Sequence, residues 1–330
     1  MSEAAAAPAR ERSRPLLADA LERYALLLAW GITCVVFGIL RPDTFLTTSN
    51  FTTIFGSQAI LVVLALALLP PLTAGDYDLS VAATMTLSCM TLAILNVNHG
   101  WPIGAAVLAA LGVGLAVGVV NGALVVLLDI DSLIATLGSS TFIAGVVLWV
   151  SNSQTISGVS DTLINLVVVD RFLGIPLEFY YGIALGLVLF YVFEFMPIGR
   201  RLLFVGRGRS VARLSGIRVA RLRWGALVVS GLISAFAGVL YAGTLGSADP
   251  TSGLSFLLPA FAAAFLGATT IVPGRFNPIG SIASVYFLVT GITGLQLLGV
   301  QTFVQQLFYG GALVLAVALS QFARRRTAET

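Results

Sequence analysis

Two aspartates one residue apart, Asp76 and Asp78, have the side chains best suited to chemistry in this sequence. They lie in the stretch GDYDLSV, residues 75–81, between two long apolar runs. Ionisable groups beside or inside a membrane are costly, so they favour a functional interpretation such as a pathway or a cation site. The structural alternative is that Asp78 or Ser80 caps the following helix. Both roles are compatible, because a buried helix N-terminus points its positive end into a pathway.

A second polar feature is an arginine-rich stretch, residues 197–224, which carries eight of the eighteen basic residues. The sequence contains no lysine. An arginine near the bilayer centre costs about 2.5–3.5 kcal/mol, so this stretch must face the cytoplasm. Within it, SVARLSGI predicts a short helix with Ser210 as N-cap, Val211 and Leu214 on one face and Gly216 as the stop. The alternative is a solvated topology determinant that attracts anionic lipid; a capped helix with an apolar edge favours a docking element.

Two further stretches place polar residues among apolar ones. Asn121 falls inside an apolar run, where it must hydrogen-bond across helices or face a polar cavity, and we favour helix packing. Asp249 lies in LGSADPTSGLS, where proline and glycine break a helix. The breaks at 75–80 and 249–253 lie on opposite sides of the predicted membrane. They indicate an inverted repeat, although no other internal similarity supports one.

Several kinds of chemistry lack the residues they need. A P-loop requires a lysine, which is absent, and no G-x-S-x-G elbow is present. The single histidine, His99, lies in a predicted turn, and the two cysteines lie in separate apolar runs, so no metal site is expected. We therefore expect a protein that is not an enzyme by itself and binds no cofactor.

The composition predicts an all-α, polytopic bundle in a membrane. Hydrophobic residues make up 58% of 330 and charged residues 10%, and the mean hydropathy is +0.97. A spanning helix needs about 20 apolar residues, and backbone groups in lipid must be satisfied within the segment. We predict ten spans, at 24–40, 52–72, 80–97, 102–128, 133–151, 179–196, 225–246, 256–272, 279–299 and 303–322. The external segment 152–178 has room for a short surface helix.

The arginines set the predicted orientation. Ten spans put both termini on one side; sixteen arginines then lie on that side, and only Arg41 and Arg171 lie on the other. The positive-inside rule makes the richer side cytoplasmic. The predicted organisation is a mobile cytoplasmic segment (1–23), a transmembrane domain (24–322) with the cytoplasmic loop 197–224, and a cytoplasmic tail (323–330).

Four motifs in register resemble the permease family of ATP-binding-cassette (ABC) importers for ribose, galactose and xylose. GDYDLSV resembles that family's GGIDLSVG, and NGALVVLLDIDSLIATLG resembles NG…IPPFIVTLG. RLSGI, residues 213–217, is identical to the end of its EAARLSGI coupling motif. LGSADPTSGLS and LGAT…PGRFNPIGS resemble its SAxPxxG and LGGTSLxGGxGxxxG segments. The resemblance covers residues 50–320.

The resemblance implies a permease that pairs with itself or a sister chain in the bacterial inner membrane. Two cytoplasmic ATPase subunits, which hold the ATP-Mg, would dock on the short helix, and an extracytoplasmic solute-binding protein would deliver the solute. No nucleic-acid partner is expected. The implied docking residues are Arg209, Ser210, Val211, Arg213, Leu214, Ser215, Gly216 and Ile217. The implied pathway residues are Asp76, Asp78, Ser80, Asn121, Thr136 and Asp249.

The sequence departs from the family pattern at four places, one of them Gly267-Ala268 in place of a GG pair. LLPAFAA, residues 257–263, replaces an acidic ELDAIA stretch; DSL at 131–133 replaces PPF; and Arg209 and Ser210 stand where acids are usual. These departures leave the fold expectation intact, weaken an expectation of ribose as the solute, and indicate a more acidic ATPase partner.

Alternative functions stay open at this point. A small neutral solute, most simply a monosaccharide or polyol, fits a pathway with few charges, but branched-chain amino acid and nucleoside importers have related permeases. An ion-coupled secondary transporter would instead use Asp76, Asp78 and Glu194 as titrating or cation-binding groups. A non-transporting scaffold gives the helix breaks no role.

Overall fold

The computed structural model describes residues 16–301 and 303–328, with the side chains of 23–301 and 303–318. In this part of the chain the first helices are α1 (Leu16–Leu40), α2 (Pro42–Phe45), α3 (Thr48–Gly56), α4 (Ala59–Ala74), α5 (Val81–Ala93), α6 (Ile103–Val126), α7 (Ser132–Val150) and α8 (Asp161–Ile164). The later helices are α9 (Leu177–Glu194), α10 (Pro197–Arg207), α11 (Arg209–Leu214), α12 (Val219–Leu245), α13 (Leu257–Gly267), α14 (Pro278–Leu297) and α15 (Phe303–Ala328).

Short irregular elements connect these helices. Two π-helical turns, Ile94–Asn98 and Asn165–Val169, extend α5 and α8, and a 3₁₀ helix, Ser252–Phe256, leads into α13. Strand β1 (Ile156–Ser157) pairs antiparallel with β4 (Ser247–Ala248), with Ile156 opposite Ala248. Strand β2 (Arg171–Phe172) pairs antiparallel with β3 (Ile175–Pro176). The all-α prediction is confirmed, because the strands are only two residues long.

Eight of the ten predicted spans are confirmed as full-length apolar helices in the described residues. At the predicted eighth and tenth spans the apolar helices are shorter, Ser252–Gly267 and Phe303–Ala318. The eighth ends at Gly267 and not at 272, because residues 268–275 form turns and bends. The predicted surface helix in 152–178 is present as α8. Of the predicted terminal segments, residues 1–15 and 329–330 lie outside the described residues, and α1 already begins at Leu16.

Helix α4 is the centre of the bundle. Its sequence, AILVVLALALLPPLTA, is apolar all round, and every residue of it is buried. A helix without a polar face is stable only when other helices surround it. Helices α9, α10, α12, α13 and α14 pack around α4. The break that carries Asp76 and Asp78 begins where this central helix ends, at Gly75, which has a left-handed φ of 79°.

Helices α6 and α12 make the most extensive helix–helix contact in the described part of the chain. Gly114, Gly118 and Gly122 repeat every fourth residue along one face of α6. A Cβ at Gly118 would lie 2.7 Å from the carbonyl oxygen of Leu227, and Gly122 lies against the ring of Trp224. Small residues at this spacing let two membrane helices approach until their backbones touch. This contact fixes α12 in register against α6.

The arginines of the described residues separate between the two ends of the bundle. At the arginine-rich end, the carbonyl oxygen of Arg23 accepts a hydrogen bond from the hydroxyl of Thr270, and Arg275 pairs with Glu194. Helices α10 and α11 and the break at 75–80 lie at this same end. At the opposite end α1, α7 and α12 finish, beside Arg41 and Arg171. The predicted grouping of these arginines, and the placement of the two breaks at opposite ends, are therefore confirmed.

Candidate functional site

The short helix predicted in the arginine-rich stretch is present as α11, but its start was predicted wrongly. Ser210 is not the N-cap: the helix begins at Arg209, and Gly208 occupies the N-cap position without a side-chain bond. The reason is that Gly208 also ends α10, so one residue separates the two helices and α11 starts one residue earlier. The hydroxyl of Ser210 therefore does not stabilise the helix start.

The predicted stop of this helix is correct. Gly216 has a φ of 79°, its N–H donates to the carbonyl oxygen of Arg213, and the N–H of Ile217 donates to that of Ala212, both at 3.0 Å. These two bonds define a Schellman motif, in which the residue beyond the glycine packs back on the helix. Ile217 does so, against a small core of Val205, Ala212 and Val219. Helix α11 is thus held by its C-terminal end.

The outer face of α11 is an exposed apolar edge. Leu214 is 88% exposed, the highest value among the described large hydrophobic residues, and Val211 is exposed beside it. Arg213 and Ser215 are exposed too, whereas Ala212 faces inward. Val211 and Leu214 thus form a small exposed apolar edge on an ordered, capped helix.

An ionic junction, formed by Asp76, Arg209 and Arg223, joins α11 to the break after α4. Arg223 donates to both carboxylate oxygens of Asp76 at 2.7 Å, and Arg209 donates to Oδ1 at 2.8 Å. Arg209 also donates to the carbonyl oxygen of Gly75 at 2.8 Å. The carboxylate is 1% exposed, and a bidentate guanidinium fixes its orientation as well as its charge. The junction therefore links α11 directly to the end of the central helix α4.

Helix α10 makes a second contact with the same place. Gly206 packs against the carbonyl oxygen of Thr73, at the last turn of α4, so closely that no Cβ fits between them. A polar cleft of about 460 Å³ opens beside this contact and the ionic junction. Asp129 and Asp131 line its other wall, and Asp131 caps α7 by accepting from the N–H of Leu133.

Asp78 is the centre of a buried hydrogen-bond network between helices. Its carboxylate accepts from the hydroxyl and N–H of Ser80 at 2.6 and 3.0 Å, and from the hydroxyl of Ser230 on α12 at 2.7 Å. Asn121 on α6 donates to the Ser80 hydroxyl at 2.8 Å. Burial raises the pKa of Asp78, and these donors partly offset the rise. Ser80 occupies the N-cap position of α5 but makes no side-chain bond to the helix, and the backbone N–H that Asp78 bonds is that of Ser80, which precedes the helix.

Thr136 holds the break from the side of α7. Its hydroxyl accepts from the N–H of Leu79, and the hydroxyl of Ser132 accepts from the N–H of Tyr77, both at 3.0 Å. Two hydroxyls one helical turn apart thus satisfy the backbone of a segment that has no helix of its own. Five of the six predicted pathway residues therefore meet around this break.

The sixth, Asp249, lies apart at the opposite end. Its carboxylate accepts from the N–H and hydroxyl of Thr251 and from the hydroxyl of Thr155, all at 2.8 Å. These bonds, led by the Thr251 N–H, hold the pKa of Asp249 below its usual range. The predicted residues therefore fall into two polar sites, one at each end of the bundle.

Comparison with known proteins shows the family to which this chain belongs. A family model described as "Branched-chain amino acid transport system / permease component" matches residues 50–317. The D-allose transport system permease protein of Escherichia coli is 30% identical over 91% of this chain and 92% of its own length. The ribose import permease protein of Bacillus subtilis is 31% identical over 94% and 96%, and the L-arabinose ABC transporter permease protein of Azospirillum brasilense 30% over 98% and 94%. No solved structure matches the chain.

The chain belongs to this permease family. It is the membrane-spanning permease subunit of an ABC importer, a transport subunit rather than an enzyme, and a multi-pass protein of the inner membrane. The permease function is favoured over the ion-coupled carrier. Consistently, the ionic junction already supplies Asp76 with two arginines.

Three residues that build the permease site were missed in the sequence. Arg223 was counted only as one arginine among eight, and Ser132 and Ser230 were not singled out. Their partners lie 147, 55 and 152 residues away, so no local pattern connects them. The glycine repeat on α6 was also overlooked, although its four-residue spacing is readable and predicts the close contact with α12.

Proposed function

We propose that this permease carries a small neutral solute, a monosaccharide or a polyol, driven by ATPase subunits that dock on α11. The relatives named above for D-allose, ribose and L-arabinose support a sugar over a branched-chain amino acid. The polar groups around the break at 75–80 include Ser80, Asn121 and Thr136, which are neutral donors and acceptors suited to hydroxyl-rich solutes.

The observation that carries the docking proposal is the combination of exposure and anchoring in α11. The helix presents Leu214 outward, while the ionic junction and the Schellman motif hold it from the inside. A freely moving loop would absorb a push from a partner. An anchored helix passes the push to the end of α4 and to the break.

The arrangement of partners follows from the arginine distribution. The arginine-rich end is cytoplasmic by the positive-inside rule, and both termini lie on that side. The ATPases bind there, a solute-binding protein meets the opposite end, and a second permease chain completes the transporter. ATP-driven closure of the ATPases then shifts α10 and α11 against α4 and alternates access to the solute.

Replacing Leu214 with arginine tests this docking surface. Burying a charge in an apolar contact costs desolvation free energy that no partner group compensates. We therefore expect that the ATPase subunits no longer co-purify with the permease. Leu173→Arg is the matched control: Leu173 is 83% exposed at the opposite end, in the turn between β2 and β3. Co-purification should persist in that control. Normal assembly of the Leu214→Arg transporter would show that α11 is not part of the ATPase interface.

A further inference from the structure

A polar cleft of about 320 Å³ opens at the opposite end of the permease. Its polar lining comes from the amides of Asn98, Asn152 and Gln154 and the hydroxyls of Thr155 and Ser157. None of these side chains is charged. The volume is at the lower end of the range of about 300–1,000 Å³ that small-molecule pockets occupy.

Two segments that are distant in sequence, 97–98 and 150–157, line the cleft, and the break after α12 pairs with the second of them. Asn96, in the π-helical turn after α5, accepts a hydrogen bond from the N–H of Ser160 at 2.9 Å. The pairing of β1 with β4 joins the loop after α7 to the break after α12. The hydroxyl of Thr155 donates to Asp249 across that pairing at 2.8 Å. A movement of the break at 246–256 must therefore change the cleft.

The position of the cleft relates it to the site around Asp76 and Asp78. Helix α7 begins beside that site, where Ser132 accepts from Tyr77, and ends at Val150 on the wall of the cleft. Nineteen residues at about 1.5 Å each make about 28 Å, close to the thickness of the hydrocarbon core. The two polar sites thus lie at the two membrane surfaces, at the ends of one helix.

The backbone of the cleft is held in an unusual conformation. Asn152 and Ser153 both have positive φ values, 51° and 57°, in the turn that ends α7. The N–H of Ser153 donates to the carbonyl oxygen of Leu148 at 2.8 Å, which closes that turn. Two successive non-glycine residues in the left-handed region cost free energy, and such strain concentrates at ligand sites. Asn152 lines the cleft in this conformation.

We propose that this cleft is an entry subsite, where a neutral polyhydroxylated solute makes its first contact with the permease. The proposal rests on the proposed function, because it takes the solute class from it. Amides and hydroxyls without a fixed charge both donate to and accept from sugar hydroxyls, and they do not retain ions. Asp249 stays ionised behind Thr155 and orients its hydroxyl.

The test uses the permease in lipid nanodiscs and saturation-transfer NMR with D-ribose and D-allose, with leucine as a probe of another class. In the double variant Asn152→Gly/Gln154→Met we expect the sugar signal to fall about tenfold, since two hydrogen-bonding side chains are lost. Glycine at 152 removes the amide and tolerates the positive φ. Ser153→Gly is the matched control, because Ser153 shares that conformation without lining the cleft.

An unchanged sugar signal in the double variant, or no sugar signal in the wild-type permease, would overturn the subsite. Uptake by the whole transporter in cells separates this failure from failure of the proposed function. If the transporter takes up a monosaccharide and the double variant keeps the wild-type NMR signal, only the subsite is refuted. Uptake of leucine and of no sugar refutes the proposed solute class and the subsite with it.

Discussion

Removing the carboxylate of Asp76 should affect its two arginine partners very unequally. Arg223 makes two bonds of 2.7 Å to it with a side chain 11% exposed, whereas Arg209 makes one bond of 2.8 Å and is 43% exposed. Breaking a buried ion pair leaves an uncompensated charge and costs about 3–5 kcal/mol. An exposed pair contributes only about 0.2–1 kcal/mol. Most of the decrease in unfolding free energy caused by Asp76→Ala should therefore come from the lost contact with Arg223.

A double-mutant cycle measures this difference. The variants Asp76→Asn, Arg223→Gln and Arg209→Gln, singly and in pairs, would be compared by equilibrium unfolding in mixed detergent micelles. Coupling energies between contacting residues lie at about 0.5–3 kcal/mol, and we expect the pair with Arg223 near the top of that range. The pair with Arg209 should give less than about 1 kcal/mol. The same variants should lower solute uptake per ATP hydrolysed in the assembled transporter.

Glu194 and Arg275 supply the internal control for this cycle. Their contact is 3.3 Å long, and both side chains are partly exposed. Their coupling energy should therefore match that of the exposed Asp76–Arg209 pair. Equal coupling of Asp76 to its two arginines, or a larger coupling energy for Arg209, would refute the assignment of Arg223 as the buried partner of Asp76.

Three further predictions concern packing and helix ends. Gly118→Val should cost about 1–3 kcal/mol and lower the yield of monodisperse protein, because its side chain meets the α12 backbone, whereas Gly112→Val, with open space around it, should not. Ser230→Ala should lower the unfolding free energy by about 1–3 kcal/mol by removing a donor from a buried carboxylate, and Ser210→Ala should change it by less than about 0.5 kcal/mol because Ser210 caps nothing. Gly216→Ala should cost about 1 kcal/mol, read as a lower melting temperature, since its φ is 79°.

The sequence predicted best what depends on local pattern. Apolar length located eight spans in the described residues. The glycine at 216 predicted the stop of α11, because a left-handed residue after a helix has few alternatives to glycine. These features are written in consecutive residues, so no knowledge of the packing is needed to find them.

The contacts that make the site could not be predicted in this way. The partners of Asp76 are two arginines among eight, and whether Arg223 reaches it depends on the register of α12 against α6. Ser210 was taken for a cap because its residue type favours that position, yet the end of α10 at Gly208 moved the helix start. In both cases tertiary packing decided between local options of similar free energy.

Charged residues suit the contact of α11 and α12 with the end of α4 better than apolar residues would. A well-packed apolar cluster would stabilise the contact at least as well as a buried ion pair does. An apolar contact tolerates sliding, however, whereas a bidentate guanidinium–carboxylate pair keeps one orientation. In the proposed function the junction passes a displacement of α11 to the end of α4, beside an open polar cleft. Directional bonds serve that purpose, while the glycine contact between α6 and α12 supplies the fixed frame against which the displacement acts.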